Sequence, residues 1–158
     1  MIIKGKKALI TGGGAGFGLC LTQRLVEAGA SVVVLDNNAS SISALEKRFP
    51  DVCGIVCDVG DDAQIDRAFD LALNNLGEID ILVNNAGLME SAPLINPIGR
   101  EDRRHSRDLW QRVLRVNLDG VFFLSSTVVE RMVRERRKGV IVNVTSIAAQ
   151  GNAGQSAY

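Results

Sequence analysis

Histidine occurs once in the sequence, at His105, and the three cysteines include no CxxC pair. That scarcity leaves no set of soft ligands at the spacing of a zinc site, so no metal is expected. Cys53 and Cys57 lie four residues apart on one strand-like run, which holds their α-carbons roughly 13 Å apart and excludes a disulfide between them. With Cys20 on a helix-like segment, all three read as reduced, core or half-buried thiols. No charge sign prevails, since 18 basic residues balance 18 acidic ones. No global field therefore draws the chain toward nucleic acid or an anionic membrane, and its partners are expected to be neutral or local. Long apolar runs are also missing: stretches such as VFFL and SVVVL fall far short of the ~20 residues of a membrane span. The opening MIIKGKKALI lacks the apolar stretch and cleavage site of a signal peptide. A cytoplasmic location is the expectation.

What remains is a chain of 158 residues, 46% of them hydrophobic, the size of one domain with a real core. Strand-like runs alternate with helix-period segments. KKALIT precedes a helix from about Gly16 to Ala28, and SVVVLD precedes a short helix around Ser41 to Phe49. VCGIVCDV leads into a helix from Asp61 to Leu76, with Ile65, Ala68, Phe69, Ala72 and Leu76 on one face, Asp61 placed to cap it and Gly77 to end it. IDILVNNAG follows, then a long helix from about Ser106 to Arg137, then VIVNVT. Strand and helix in strict alternation imply an α/β fold, a doubly wound parallel sheet with helices on both faces. The rhythm breaks once, at SAPLINPIGREDRRHSRD, residues 91–108. A charged loop of that length is usually functional, and its place after the fourth strand, on the carboxyl side of the sheet, puts it at a substrate entrance. The cluster RERRK at the end of the long helix reads as a solvated helix end whose cations complement the dipole.

The first strand runs directly into TGGGAGFG, Thr11 to Gly18. Glycines here let the backbone turn tightly and let a pyrophosphate approach the amides at the start of the next helix. No GxGxxG register fits, but TGxxxGxG does, through Thr11, Gly12, Gly16 and Gly18. A merely tight turn accounts for one or two glycines, not for five in seven residues. Gly12, Gly14, Gly16, Phe17 and Gly18 are thus candidate cofactor-binding residues. Asp36, at the end of the second strand, stands where a dinucleotide fold uses an acid to accept hydrogen bonds from the adenosine ribose. Its carboxylate would repel a 2′-phosphate, and neither Ala15 nor Asn37 compensates, so NAD is favoured over NADP.

Further marks follow in order: CDV at Cys57 to Val59, NNAG at Asn84 to Gly87, LRVNLDGVF around Asn117, and VIVNVTS leading to Tyr158. With them the chain resembles the short-chain dehydrogenase/reductase family almost end to end. The resemblance implies a Rossmann-like sheet of strand order 3-2-1-4-5 and an NAD-dependent oxidoreductase acting on a small-molecule secondary alcohol or ketone. It implies that Asp58 and Val59 edge the adenine, that Asn85, Ala86 and Gly87 lie beside the cofactor, and that Asn117, Ser146 and Tyr158 are catalytic. Tyr158 would be the general acid or base. Asn117 falls on an apolar helical stripe with Trp110, Val113, Leu114 and Val121, where a buried amide demands partners; it could hold a proton-relay water or be a satisfied core asparagine. Asn84 and Asn85 could simply shape a turn. The strand motif favours Ser146 as the hydroxyl beside the substrate, whereas counting back from the tyrosine reaches Thr145.

The family pattern continues past a YxxxK lysine and two further strands. Residues 1–158 are accordingly expected to be a single dinucleotide-binding domain that is C-terminally incomplete, inactive alone, and a homodimer or homotetramer when complete. The competing reading is a noncatalytic dinucleotide-binding module.

Overall fold

The computed structural model describes residues 2–158 except residues 91, 100, 101, 152, 153 and 155. Five short strands form its centre: β1 (Lys7–Thr11), β2 (Ser31–Asp36), β3 (Cys53–Val56), β4 (Ile81–Asn84) and β5 (Val140–Asn143). They pair in parallel in the order β3-β2-β1-β4-β5, the order the family resemblance implies. In the register, Leu9 lies between Val33 and Leu82, and Ile10 between Val34 and Val83. Side chains alternate across the sheet, so each strand feeds two cores. Leu9, Val33, Leu35, Ile55 and Leu82 pack with Ile65, Phe69, Leu124 and Val128 from α3 (Asp62–Leu76) and α5 (Gly120–Arg134). Ala8, Ile10, Val32 and Val34 pack on the other face with Ile42 and Leu45 of α2 (Ala39–Arg48), joined by Leu21 and Leu25 of α1 (Gly16–Glu27). Each such aliphatic side chain contributes about 1.5–3 kcal/mol when fully buried.

Helix starts follow local capping chemistry. Asp61 caps α3 by accepting from the Gln64 amide, and Gly77 closes that helix with φ 77°. α2 begins earlier than its hydrophobic pattern suggests, at Ala39, because Asn38 Oδ1 accepts from the amides of Ser40 and Ser41 at 2.9 and 3.1 Å. The long helix is not continuous. α4 (Arg107–Leu114) passes through a π-helical turn, Arg115–Asp119, into α5, which ends at Arg134. A π turn inside an α-helix is a local strain that concentrates at functional positions, and this one is centred on Asn117. Immediately after it, a Cβ on Gly120 would stand 2.3 Å from the Val59 carbonyl oxygen, so glycine is what lets the helix press against the chain leaving β3.

Arg137 lies past the helix and is no solvated end. It turns back to Glu78 and to Asp80, a buried acid before β4 that also bonds Lys6 Nζ at 3.1 Å and the Lys7 amide at 3.0 Å. Cys57 is buried and Cys53 half-buried, but Cys20 is exposed on α1, on the solvent side of a helix whose buried stripe runs elsewhere. The long loop is partly ordered as a hairpin: Ile95 and Arg104 bridge antiparallel, Asn96 N donates to Arg103 O at 2.7 Å, and His105 N donates to Leu94 O at 2.9 Å. Ser91, Arg100 and Glu101 of that loop lie outside the described residues. Among the described residues no helix is long and apolar enough to cross a membrane.

Candidate active site

The carboxyl ends of β1, β2, β4 and β5 gather the candidate residues. β1 leaves the sheet at Thr11, and Gly12 turns with φ 63° while its amide donates to Leu35 O at 2.6 Å. The chain then doubles back so closely that a Cβ on Gly18 would sit 2.0 Å from Gly12 O. Thr22 Oγ1 ties the loop to the helix, lying 3.2 Å from the Gly13 carbonyl oxygen and 2.9 Å from that of Gly18 in its own helix. The first amide bonded within α1 is Leu19 N, to Ala15 O, so those of the preceding residues have no intrahelical acceptor. No acid occupies this first turn, which leaves the positive end of the helix dipole free for an anion. Gly16, with φ 52°, has nothing within 4 Å of where its Cβ would be.

Asp36 lies across the loop. Its Oδ2 accepts from the Gly14 amide and its Oδ1 from the Asn38 amide, both at 3.0 Å. A side chain at position 14 would begin 2.9 Å from Oδ2 and displace the acid. The carboxylate retains lone pairs for two hydroxyls.

The segment after β4 is bonded on every side. Thr11 Oγ1 accepts from the amides of Asn85 and Ala86 at 3.1 and 3.0 Å, while Asn85 Nδ2 donates to the carbonyls of Thr11 and Gly12 at 3.1 and 3.0 Å. Asn84 is buried and donates to Ser125 Oγ at 2.9 Å and to Asn143 Oδ1 at 2.8 Å. Both asparagines therefore do more than shape a turn: one fastens the glycine loop to β4, the other ties β4 to β5 and α5. The Asn117 amide is satisfied at both ends by one residue, Oδ1 accepting from Leu88 N at 2.8 Å and Nδ2 donating to Leu88 O at 2.9 Å.

Two clefts adjoin this segment. One, about 390 Å³, is lined by Gly12, Asp36, Asn37, Asp58, Val59 and Val116. The other, about 360 Å³, is lined by Met89, Asn117, Val121, Thr145, Ser146 and Tyr158. Asn85, Ala86, Gly87 and Leu88 line both and make a common wall. Of the candidate glycines, Gly12 and Gly87 line these clefts. Gly14 and Gly18 are buried within the loop, while Gly16 and Phe17 are exposed beside it. Ser146 Oγ accepts from the Ala148 amide at 3.1 Å, and among the described residues its hydroxyl hydrogen has no acceptor, so it can donate into the second cleft. Thr145 lines the same cleft, so both candidate hydroxyls are brought to it. Asn152, Ala153 and Gln155, between these residues and Tyr158, lie outside the described residues.

Cys57 also lines the first cleft. Burial pushes its thiol up to about 11, with Asp58 and Asp61 adding to the rise against a smaller pull from Arg67. A group so raised is a neutral thiol at physiological pH and no nucleophile. Sequence reasoning passed over Thr11 as the bridge between loop and wall, Ser125 as the partner of Asn84, and an ion pair between Glu90 and Arg112 on the rim of the first cleft. Thr11 left a signal as the first residue of TGxxxGxG, and Ser125 a weaker one as a hydroxyl beside the buried Leu124 on α5.

The first cleft and the loop beside it suit an adenine dinucleotide: glycines at 12, 14 and 18 where a Cβ would collide, helix amides with no intrahelical acceptor, an anchored acid, and an apolar floor of Leu35, Cys57 and Val59. The family described as short chain dehydrogenase matches residues 6–158. The (2S)-[(R)-hydroxy(phenyl)methyl]succinyl-CoA dehydrogenase subunit BbsD of Thauera aromatica is 38% identical over all of this chain. The chain spans 62% of that protein's length. Among solved structures, the 3-ketoacyl-(acyl-carrier-protein) reductase of Brucella melitensis complexed with NADH aligns with TM-score 0.85 and 28% identity over 99% of this chain and 64% of its own. NAD+-bound xylitol dehydrogenase aligns with TM-score 0.87 and 30% identity over the whole chain and 60% of its own. Sheet order, loop and cleft agree with a match over nearly the whole sequence, and the chain belongs to the short-chain dehydrogenase family.

Proposed function

We propose that the protein is an NAD-dependent oxidoreductase that interconverts a secondary alcohol and its ketone. The observation that carries this reading is the common wall. Asn85–Leu88 separates a cleft holding Asp36, Asp58 and Val59 from one holding Asn117, Ser146 and Tyr158. A nicotinamide dinucleotide laid along that wall would have its adenosine hydroxyls at Asp36 and its far end beside the hydroxyl groups. The Asp36 carboxylate favours NAD over NADP by repelling a 2′-phosphate, and the nucleotides named in the two similar structures support the choice.

When bound, NAD supplies the hydride acceptor for oxidation and NADH the donor for reduction. Ser146 would donate its free hydroxyl hydrogen to the substrate oxygen. Tyr158 would accept the alcohol proton in oxidation and return it to the carbonyl oxygen in reduction. An ordinary phenol ionises near pH ~10, so oxidation at neutral pH needs a cation close to it. Asn117 would fix the wall by holding both backbone groups of Leu88. The insertion of residues 91–108 would border the substrate entrance and tune access. Leu118 of the π turn and Phe122, Val129 and Val133 of α5 are all exposed, and we propose that the whole protein assembles through this side of the helix as a homodimer or homotetramer.

Titration of the full-length protein with both nucleotides tests the cofactor assignment, and NAD should bind at least about tenfold more tightly, a difference of about 1.4 kcal/mol. Tyr158→Phe should abolish NAD reduction by secondary alcohols without weakening NAD binding. Equal nucleotide affinities would refute the role of Asp36, and an active phenylalanine variant that of Tyr158.

A further inference from the structure

The glycine loop and Asp36 account for one side of the first cleft. Its opposite rim carries a pair that none of the family marks includes. Arg112, one helical turn before Val116, donates through both Nε, at 3.0 Å, and Nη2 to a single oxygen, Oε2, of Glu90. Both residues line the first cleft. Arg112 also lines an adjoining cleft of about 460 Å³ with Asp58, Gly60, Asp108, Gln111, Arg115 and Val116. Arg112 thus stands, with Asp58 and Val116, between the nucleotide cleft and an outer cleft.

The pair has little reason to exist for stability. Its side chains are 57% and 35% exposed, and ion pairs of that exposure contribute between nothing and about 1 kcal/mol. What the geometry does achieve is orientation. Two donors fixed on one oxygen hold a planar, weakly hydrated cation at a set attitude, which a lone arginine on a helix surface would not keep. A flat aromatic ring is the kind of group such a guanidinium recognises, by stacking and cation–π attraction.

We propose that Arg112 is an adenine-binding residue that closes the outer side of the nucleotide cleft, and that Glu90 is a positioning residue acting through it. The same pair fixes the end of the common wall. Leu88 is bonded to Asn117 and Glu90 to Arg112, two attachments of one short segment to one helix five residues apart. This inference rests on the nucleotide reading above.

The test is binding of ADP-ribose, which carries the adenine but no nicotinamide, measured by calorimetry on the full-length protein alongside thermal unfolding. Arg112→Gln should raise the dissociation constant about 5- to 20-fold with no more than about 1 °C change in Tm. Arg112→Lys, which keeps charge but loses the planar fork, should fall between. Glu90→Gln should cost about threefold, and nothing further when combined with Arg112→Gln, because it acts only through that residue. An unaltered protein that binds ADP-ribose, with Arg112→Gln binding as well, overturns this inference alone. A loss of affinity matched by a large fall in Tm also overturns it, since the pair would then be structural. Failure of the unaltered protein to bind ADP-ribose would refute the nucleotide reading and this inference with it.

Discussion

The tightest constraint in the molecule is the approach of Gly18 to Gly12, and Gly18→Ala should be far more damaging than one methyl group suggests. The added Cβ would stand 2.0 Å from Gly12 O, 2.8 Å from Gly12 C and 2.5 Å from Asn85 Nδ2. Ordinary carbon contacts lie near 3.5–4.0 Å, so more than an ångström must be opened. Nothing nearby can yield cheaply. Gly12 is held from both sides, its amide on Leu35 O at 2.6 Å and its carbonyl by Asn85 at 3.0 Å. Overpacking costs roughly 1–3 kcal/mol, and moving the Asn85 side chain forfeits two hydrogen bonds of about 1 kcal/mol each. A total of about 3–5 kcal/mol corresponds to a fall in Tm on the order of 10 °C for a domain of this size. The internal control is Gly16→Ala. Nothing crowds that position, and its φ of 52° costs a non-glycine residue about 1–2 kcal/mol, but the methyl faces the open side of the loop. Thermal unfolding with and without NAD separates the two. Gly18→Ala should lose stability and nucleotide binding together, Gly16→Ala chiefly binding. A Gly18→Ala protein that melts within 2 °C of the unaltered one would refute the view that loop and wall are locked to each other.

Two further outcomes follow from the same geometry. Burial pushes the Asp80 carboxyl up, but the Lys7 amide, Lys6 and Arg137 together outweigh it and hold the group below the usual carboxylate range. A carboxyl depressed in the folded state stabilises above the unfolded pKa, near ~4, and that contribution is lost as pH falls through the folded value. Asp80→Asn should therefore cost about 1–3 kcal/mol in urea titrations at pH 7 and progressively less below pH 4; an equal cost at pH 7 and pH 3 would rule out the ionic part. At the second cleft, Ser146→Ala should lower turnover about a hundredfold, as loss of one oxyanion-type donor does, while Thr145→Ala should be mild; the reverse ranking would move the role to Thr145.

The sheet was legible in the sequence because each strand is a short run with β-branched residues and turn or capping residues separate several of the elements. Asp61 and Gly77 bound α3 by chemistry that needs no tertiary information. The strand order came from the family resemblance and is the order observed. Where the reading slipped, the cause lies outside the local pattern. The π turn at Arg115–Asp119 is invisible to a helical period, since it arises where Asn117 meets the backbone of Leu88, 29 residues earlier in the chain. Arg137 reads as helix-end charge, yet its partner Asp80 is 57 residues away. Glu90 and Arg112 carry no motif at all. The candidate site residues were read on unequal grounds: the glycine loop and Asp36 from physical need, Asn117 from an amide on an apolar stripe together with the resemblance, the hydroxyls through the resemblance.

Residues 84–90 explain why so many separate marks belong to one site. Asn84 is tied to β5 and α5, Asn85 to the glycine loop, Leu88 to the π turn and Glu90 to α4. A seven-residue strand exit is thus bonded to the glycine loop, β5, α5, the π turn and α4; among the described residues, the exceptions at the first cleft are the segments contributing Asp36 and Asp58. The exceptions have a physical reason. Those acids approach the cleft from β2 and from the end of β3, and Asp36 is positioned instead by the loop itself, through the Gly14 amide. The glycine loop is therefore the joint between the two halves: it is fixed to the wall by Asn85 and Thr11 and fixes Asp36 in turn. A nucleotide seated on that loop would be registered against the acid at one end and the hydroxyl cleft at the other by one rigid connection. In a site built this way, displacement of the loop should reach both clefts, whereas loss of Arg112 should reach only the first.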